Sequence, residues 1–228
     1  MRKNLSLTIA IPAYNEEQNI ILTVETANFN AKKLTRNYEI LVINDGSSDK
    51  TGEILNNLKS RFSHLKVSTH KNNLGIEPTL KDLYMLAKKD LIFFNGADNE
   101  IKMSILPSLI KKMDEGFDII VAKRKVKKYN LFRKFVSWGF NFFTKLLFGV
   151  EVYDAGCAKL VKSRIYRSLD IKSTSVFAES ERLIKASKAG YKIASVPVVH
   201  YPKAKPNQLD LKLVFASIKD MLLLLLRG

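Results

Sequence analysis

Two polar segments decide the fold: IPAYNEE at residues 11–17 and INDGSSD at residues 43–49, each at the end of a short apolar run. Each segment precedes a stretch with helical patterning, so the chain twice repeats strand, polar loop and helix. In an open α/β sheet, loops at the carboxyl ends of parallel strands face a common crevice where ligands bind. Both loops carry carboxylates and backbone amides suited to a nucleotide. The pair predicts a nucleotide site, although either loop alone would be typical of a capped turn.

The same alternation continues along the chain. Strands are predicted at residues 5–11, 38–43, 65–69, 91–94 and 117–121, with helices between them at 17–28, 49–61, 78–88 and 104–113. Strands that alternate with helices favour a mainly parallel sheet. The rest of the chain predicts an aromatic helix (132–148), a loop and strand (153–161), a helix (177–189), a strand (193–199) and an amphipathic helix (209–227).

Composition limits the classes of function. The chain has 228 residues and a formal net charge of +16, which favours an anionic partner such as a membrane surface, a phosphorylated substrate or a nucleic acid. The single cysteine, Cys157, excludes an internal disulfide framework and is expected to serve packing. No signal peptide is recognised, and no apolar run approaches the roughly 18–20 residues that span a bilayer. His64, His70 and His200 show no metal-ligand spacing.

Carboxylates that follow predicted strands are the candidates for chemistry. Asp98 and Glu100 follow a buried strand and could hold Mg²⁺ against a diphosphate, since this ion needs only one or two protein carboxylates when phosphates and water complete its shell. A polar turn that caps the next helix explains them equally well. Asp154 and Glu179 could likewise be structural, as a turn residue and a helix-dipole partner.

A basic run from Lys123 to Lys134 contains no acid and includes Tyr129 and Phe132. A solvated face is the usual meaning of such a run. However, the run follows the predicted strand at residues 117–121. It can therefore reach the same crevice as the two polar loops and the segment that contains Asp98 and Glu100.

In their order and spacing, nine segments resemble those of the polyprenyl-phosphate glycosyltransferases, the dolichyl-phosphate-mannose-synthase-like branch of the GT-A fold in glycosyltransferase family 2. The matching segments are 11–19, 44–51, 70–75, 96–100, 122–127, 133–141, 154–160, 177–190 and 196–203. The resemblance implies a Rossmann-like sheet flanked by helices. It also implies a domain over residues 1–206, with a nucleotide-sugar half (1–122), an acceptor half (123–206) and an amphipathic helix (207–228) beyond it.

The resemblance further implies roles for individual residues. The expected nucleotide-sugar ligands are Pro12, Ala13, Tyr14, Glu16, Asp45, Asn73, Gly75 and Ala97. Those expected to bind phosphates of donor or acceptor are Arg124, Lys127, Arg133 and Lys203. The expected catalytic residues are Asp98, Asp154 and Glu179, and the expected ligands of Mg²⁺ or Mn²⁺ are Asp98 and Glu100.

Three positions depart from the family pattern. Gly96 replaces the first aspartate of the usual D-x-D metal motif, Asn44 stands where an aspartate is usual, and residues 207–210 lack a glycine-rich closing loop. A site with one carboxylate fewer should bind its cation more weakly when the donor is absent.

The expected reaction is inverting transfer of a sugar from a UDP- or GDP-linked donor to a polyprenyl or dolichyl phosphate. The expected location is peripheral, on the cytoplasmic face of an anionic membrane. Two alternatives stay open: a degenerate GT-A protein that binds a nucleotide-sugar or a partner without turnover, and an enzyme that glycosylates a glycan or protein hydroxyl. A homo-oligomer or a membrane-protein partner also stays open, whereas the absence of a nucleic-acid motif argues against that ligand.

Overall fold

The computed structural model describes residues 5–126, 131–152, 154–202 and 211–227, and side chains of residues 131–135 are not part of the description. The strands are β1 (Ser6–Ala13), β2 (Asn37–Asn44), β3 (Leu65–Thr69), β4 (Leu91–Phe94), β5 (Ile119–Arg124), β6 (Lys159–Lys162) and β7 (Ile193–Val198). The helices are α1 (Ile20–Leu34), α2 (Thr51–Arg61), α3 (Ile76–Leu86), α4 (Leu106–Asp114), α5 (Leu131–Phe148), α6 (Ser163–Ser168), α7 (Ala178–Lys188) and α8 (Leu211–Leu226).

The seven strands form one sheet in the order β3-β2-β1-β4-β6-β5-β7. All neighbouring pairs are parallel except those of β6, which runs antiparallel to both β4 and β5. The carboxyl ends of β1, β2, β4, β5 and β7 therefore lie at one edge of the sheet, where the amino end of β6 joins them. Ligand sites of open α/β sheets lie at this edge.

Helices cover both faces of the sheet, which explains why β2 is buried at every position except its first residue. One face packs against α1, α2 and α4 through residues such as Val24, Leu55 and Leu109. The other face packs against α3, α5, α6, α7 and α8, for example through Leu83 and Leu183. This two-sided sheet confirms the predicted α/β class.

The predicted elements are present, with shifted ends, and two features were not predicted. The first is helix α6, which is only six residues long. The second is the direction of β6: the pattern of residues 153–161 predicted a strand but not whether it runs parallel or antiparallel to its neighbours. The two halves expected on either side of residue 122 share one sheet, because β6 and β7 join the strands of the first half.

Strand β7 forms one border of the sheet and contains a proline. Val198 accepts a hydrogen bond from the amide of Lys125, which follows β5, and Lys192 accepts two from residues 118 and 119. Because successive residues of a strand point their amides to opposite sides, these contacts direct the nitrogen of Pro197 away from β5. The open side of β7 therefore lacks one donor.

Helix α8 is present where the sequence predicted it, but its long apolar stripe faces outward. The residues that it buries are Ser217, Asp220, Met221 and Leu224. Its exposed large apolar residues are Leu211, Leu213, Phe215, Ile218, Leu222, Leu225 and Leu226. Across the described ranges, no helix combines the length and apolar character needed to cross a bilayer.

Candidate active site

A cleft of about 500 Å³ opens at the carboxyl edge of the sheet. It is lined by all eight residues expected to bind a nucleotide-sugar: Pro12, Ala13, Tyr14, Glu16, Asp45, Asn73, Gly75 and Ala97. Asp98, Glu100, Arg124 and Glu179 line it as well. The structure thus brings together residues from both halves of the chain, as the order of motifs predicted.

The loops that follow β1 and β2 are joined directly by hydrogen bonds. The amide of Asn15 donates to Ser47 Oγ at 3.0 Å, and the amide of Glu16 donates to Thr51 Oγ1 at 2.8 Å. Asp49 Oδ2 accepts from the amide of Glu17 at 3.1 Å. These three backbone amides are engaged within the protein, so they are not among the amides expected to be open to a nucleotide. They fix the relative position of the two loops instead.

Asp45, which lines the cleft, also organises a third segment. Its two carboxylate oxygens accept hydrogen bonds from the amides of Leu74 and Gly75, both at 2.9 Å. Oδ1 also lies 2.7 Å from His70 Nδ1. Burial alone would raise the pKa of Asp45, but the bonds from His70 and the two amides outweigh it and lower the pKa. A ligand that contacts Asp45 therefore meets a carboxylate that already holds the 70–75 loop.

His70 bridges two carboxylates, with Nδ1 on Asp45 and Nε2 at 3.1 Å from Asp82 Oδ2. Burial lowers the pKa of the imidazole, but the two acidic partners more than compensate, so the pKa is raised. Metal-ligand spacing in the sequence does not single out this histidine. Its place immediately after β3, at the same edge of the sheet, was the available signal.

The turn that follows β2 needs glycine at position 46. Gly46 has a φ of +63°, and a Cβ there would lie 2.3 Å from the carbonyl carbon of Asn72 and 2.5 Å from the amide nitrogen of Asn73. The two loops can approach this closely only because position 46 carries no side chain.

The third loop, residues 95–101, brings Asp98 and Glu100 to the cleft. Asp98 Oδ1 accepts from the amide of Glu100 at 3.0 Å, and Glu100 Oε2 lies 2.8 Å from His200 Nε2. His200 also lines the cleft, and its buried Nδ1 has no hydrogen-bond partner among the described residues. His200 follows the carboxyl end of β7, so the rule that located the other loops would have located it too.

These side chains fit a divalent cation only in part. Two carboxylates are enough protein ligands for Mg²⁺ when a diphosphate and water complete the coordination shell of the ion. Within the ranges that the structure describes, however, no group of three or more His, Cys, Asp or Glu residues could hold a metal ion. Position 96 would allow a further ligand, because a Cβ on Gly96 would meet only the movable carboxylate of Asp98, at 3.1 Å.

A buried network of charges lies beneath the cleft. Arg182 donates to Glu77 at 2.8 and 3.0 Å and to Glu179 at 2.7 Å. Lys159, which is fully buried, donates to the other oxygen of Glu179. Burial would raise the pKa of Glu179, but Lys159 and Arg182 lower it. Glu179 is therefore an ion-paired carboxylate and a poor general base.

Arg124 and Asp154 form a two-point ion pair at the end of β5. Arg124 donates from Nε to Oδ2 at 2.7 Å and from Nη2 to Oδ1 at 2.9 Å. Asp154 is buried and lines an adjoining hollow rather than the cleft itself. The expectation that Asp154 acts beside the reacting groups is therefore revised, because its contacts orient Arg124, which faces both spaces.

Three predicted phosphate ligands cannot be located in the same detail. Lys127 and Lys203 lie outside the described residues, and for Arg133 only its place near the start of α5 is described. Cys157 lines the cleft, but burial raises the pKa of its thiol to about 11. A thiol with this pKa stays protonated at neutral pH, which agrees with the predicted packing role.

Comparisons with known proteins agree with this geometry. Residues 8–169 match the profile of glycosyl transferase family 2. The chain is 30% identical over 152 residues to the undecaprenyl-phosphate 4-deoxy-4-formamido-L-arabinose transferase of Photorhabdus laumondii, covering 66% of this chain and 47% of the relative. It is 26% identical to the dodecaprenyl-phosphate galacturonate synthase of Rhizobium johnstonii, covering 96% and 66%. The chain thus spans about half the length of the first of these relatives.

Solved structures support the fold. Glucosyl-3-phosphoglycerate synthase from Mycobacterium tuberculosis, crystallised with Mn²⁺, UDP and phosphoglyceric acid, superposes with a TM-score of 0.74 at 18% identity, covering 97% of this chain and 79% of its own. Mannosyl-3-phosphoglycerate synthase from Rubrobacter xylanophilus gives 0.77 at 15% identity, covering 98% and 74%. These matches confirm the GT-A fold expected from the sequence.

Proposed function

The chain belongs to glycosyl transferase family 2, and from this premise we propose that it moves a sugar from a nucleotide-sugar to a polyprenyl phosphate, with inversion at the anomeric carbon. The acceptors in the names of its relatives, undecaprenyl and dodecaprenyl phosphate, support this acceptor class. In the proposed step a phosphate oxygen of the acceptor forms the new bond to the anomeric carbon. The bond to the nucleoside diphosphate breaks, and that group leaves with the electron pair.

One observation favours a phosphate acceptor over a hydroxyl acceptor. A hydroxyl needs a general base to take its proton, whereas a phosphate is already ionised at neutral pH. Both carboxylates that the sequence offered on the acceptor side, Asp154 and Glu179, are held in short ion pairs with cationic side chains. This arrangement suits an acceptor that brings its own negative charge.

Charge repulsion is the main obstacle in this reaction. Two unit charges 4 Å apart repel by about 4 kcal/mol at an effective dielectric constant near 20. Arg124 faces the cleft and is held rigidly by Asp154, so it is the described cation best placed to offset the charges of donor and acceptor. Preorganised charges of this kind stabilise a leaving group without further rearrangement.

A divalent cation is the second source of positive charge in the proposal. Asp98 and Glu100 would hold it together with the donor diphosphate, as Mg²⁺ or Mn²⁺. When bound, it would stabilise the charge that develops on the departing diphosphate. Solved structures with the same fold contain Mn²⁺ or Mg²⁺ with UDP, which supports this class of cofactor.

The proposal also includes peripheral association with an anionic membrane. Helices α5 and α8 contact each other and expose apolar side chains, including Trp138 at 61% and Phe215 at 69% of their full accessibility. Lysines on both helices, such as Lys145 and Lys219, add positive charge, in a chain of net charge +16. Apolar side chains flanked by cations are typical of helices that lie in the interface of an anionic bilayer.

The decisive experiment incubates the protein with polyprenyl phosphate and a panel of labelled UDP- and GDP-sugars, with Mg²⁺, with Mn²⁺ or with EDTA, and extracts the lipid. Label in the lipid that EDTA abolishes supports the full proposal. Label in the lipid that survives EDTA supports the transfer reaction but contradicts the proposed role of the divalent cation. No label with any donor, from folded protein that still binds UDP, supports a binding protein without turnover.

A matched pair of variants tests the role of Arg124. Arg124→Gln should lower the transfer rate by roughly a hundredfold, because one preorganised donor contributes on this scale. Lys112→Gln removes the same charge from the surface of α4 and should leave the rate unchanged. Equal losses in both variants would refute a local role for Arg124.

A further inference from the structure

Helix α8 carries a single carboxylate, Asp220, on the face that it buries. Its Oδ2 accepts hydrogen bonds from the amides of Thr174 at 3.0 Å and Ser175 at 2.9 Å. Burying a charge in a largely apolar helix is unfavourable unless specific partners compensate. These two amides are such partners, and they belong to a segment far away in the sequence.

The segment is the loop of residues 172–177, which leads into α7. Glu181 of α7 accepts hydrogen bonds from the amides of Lys172 and Ser173, at 3.1 and 2.8 Å. Four successive amides of the loop are therefore held by two carboxylates, one from α7 and one from α8. Because this stretch has neither helix nor strand to satisfy its amides, the two carboxylates determine its path.

The same loop reaches the cleft. Val176 lines it, as do Gly156, Ala158 and Glu179. These residues belong to the second half of the chain, away from the loops that follow β1 and β2. The outer face of α8 is apolar and exposed. Asp220 thus connects this helix to the part of the cleft lining that comes from the second half of the chain.

We propose that Asp220 is a positioning residue that makes α8 part of the acceptor side of the active site. The acceptor side is defined by the proposed function, on which this inference rests. Asp220 fixes the 172–177 loop and, through it, the position of Val176. Loss of its carboxylate leaves the donor loops intact and loosens the opposite wall.

The test uses three variants of the full chain. Asp220→Ala removes both acceptor oxygens, whereas Asp220→Asn keeps one oxygen and so restores part of the effect. Ser217→Ala is the matched control: Ser217 lies on the same buried face of α8 but donates only to the carbonyl of Leu213 in its own helix. Thermal unfolding verifies that each variant is folded.

Hydrogen–deuterium exchange without substrates is the first measurement. In Asp220→Ala we expect residues 172–177 to exchange on the order of tenfold faster, because two amides lose a charged acceptor. Exchange in β1 should be unchanged, and Ser217→Ala should match the wild type. Equal exchange of the loop in Asp220→Ala and the wild type would overturn the inference, whatever the enzyme transfers.

Steady-state kinetics are the second measurement. The KM for polyprenyl phosphate should rise by about tenfold in Asp220→Ala and less in Asp220→Asn, with the KM for the nucleotide-sugar within about twofold of wild type. Equal changes in both constants, or none, would overturn the positioning role. If the wild type transfers no sugar, the proposed function fails, while the exchange measurement still decides whether Asp220 holds the loop.

Discussion

Substitution of Gly46 by alanine tests how the first two loops and the 70–75 loop are held together. Gly46 combines a φ of +63° with backbone atoms of Asn72 and Asn73 within 2.5 Å of a Cβ position. Gly190 provides the control, since its φ is +84° and a Cβ there would meet nothing within 4 Å. In both variants an alanine must adopt a left-handed backbone, which costs about 1–2 kcal/mol. In both, alanine also restricts the conformations of the unfolded chain to the same extent.

The difference between the two variants isolates the clash. Ordinary contact begins at 3.4 Å, so an alanine Cβ that would lie 2.3 Å from Asn72 requires the loop to retreat by 3.4 − 2.3 = 1.1 Å. A shift of this size breaks the 2.9 Å hydrogen bonds from Leu74 and Gly75 to Asp45. Each bond to a charged acceptor contributes about 1.5–3 kcal/mol, so Gly46→Ala should destabilise by about 3–6 kcal/mol more than Gly190→Ala.

Urea unfolding followed by circular dichroism measures this difference. The slope of the free energy of unfolding against urea should be the same in both variants, so that the midpoints can be compared. The melting temperature should fall by on the order of 10 °C more in Gly46→Ala than in the control, at about 2–4 °C per kcal/mol for a chain of this size. Two variants within about 1 kcal/mol of each other would refute the interpretation that this glycine permits the contact.

Three further predictions concern the cation, pH and the buried charges. Gly96→Asp restores a second aspartate beside Asp98, and isothermal titration calorimetry should show roughly tenfold tighter Mn²⁺ binding without nucleotide, since affinity rises with the number of carboxylates. His70→Asn removes an imidazole whose folded pKa is raised. The stability that His70 contributes is complete below its unfolded pKa of about 6.5 and is lost as pH rises through the raised folded pKa. In urea titrations, the difference in free energy of unfolding between the variant and the wild type should therefore shrink as pH rises above about 6.5. Arg182→Met removes the described cationic partner of the buried Glu77 and leaves Glu179 with Lys159, so it should lower the free energy of unfolding by about 3–5 kcal/mol in thermal or urea unfolding.

Each of these variants has a control in the same chain. Gly139→Asp adds the same charge on α5 and should bind Mn²⁺ no more tightly than the wild type. His64→Asn is the control for loss of an imidazole, because His64 stacks on Tyr38 and lacks carboxylate partners among its described contacts. Arg164→Met removes an exposed arginine and should cost less than about 0.5 kcal/mol. A control that behaves like its test variant contradicts the corresponding prediction.

The parts of the site that follow strands could be predicted because the apolar run of a strand and the polar loop that ends it are local patterns in the sequence. The apolar runs locate β1, β2 and β4, and the polar residues that follow them must reach the same edge of a parallel sheet. The positions of Glu16, Asp45 and Asp98 along the chain are therefore enough to predict that they share one cleft. Applied to β7 and β3, the same rule would also have found His200 and His70.

The contacts that decide the state of each charge could not be predicted, because they join residues far apart in the sequence. Glu77 and Arg182 are 105 residues apart, and no spacing rule relates them. The direction of β6 is another example, since the sequence of a four-residue strand does not distinguish parallel from antiparallel pairing. The sequence therefore indicated that Asp45 and Asp98 reach the cleft, but neither that Glu179 is ion-paired nor that Asp154 lines the adjoining hollow instead.

The proline in β7 has a consequence for contacts between molecules. An open strand at the border of a sheet is a template onto which the strand of another chain can add, and this is a common route to aggregation. Pro197 offers no hydrogen to such a strand, so an added strand would leave one of its carbonyl groups without a partner. Self-association of this protein by continuation of the sheet is disfavoured at β7, and any dimer should form through other surfaces.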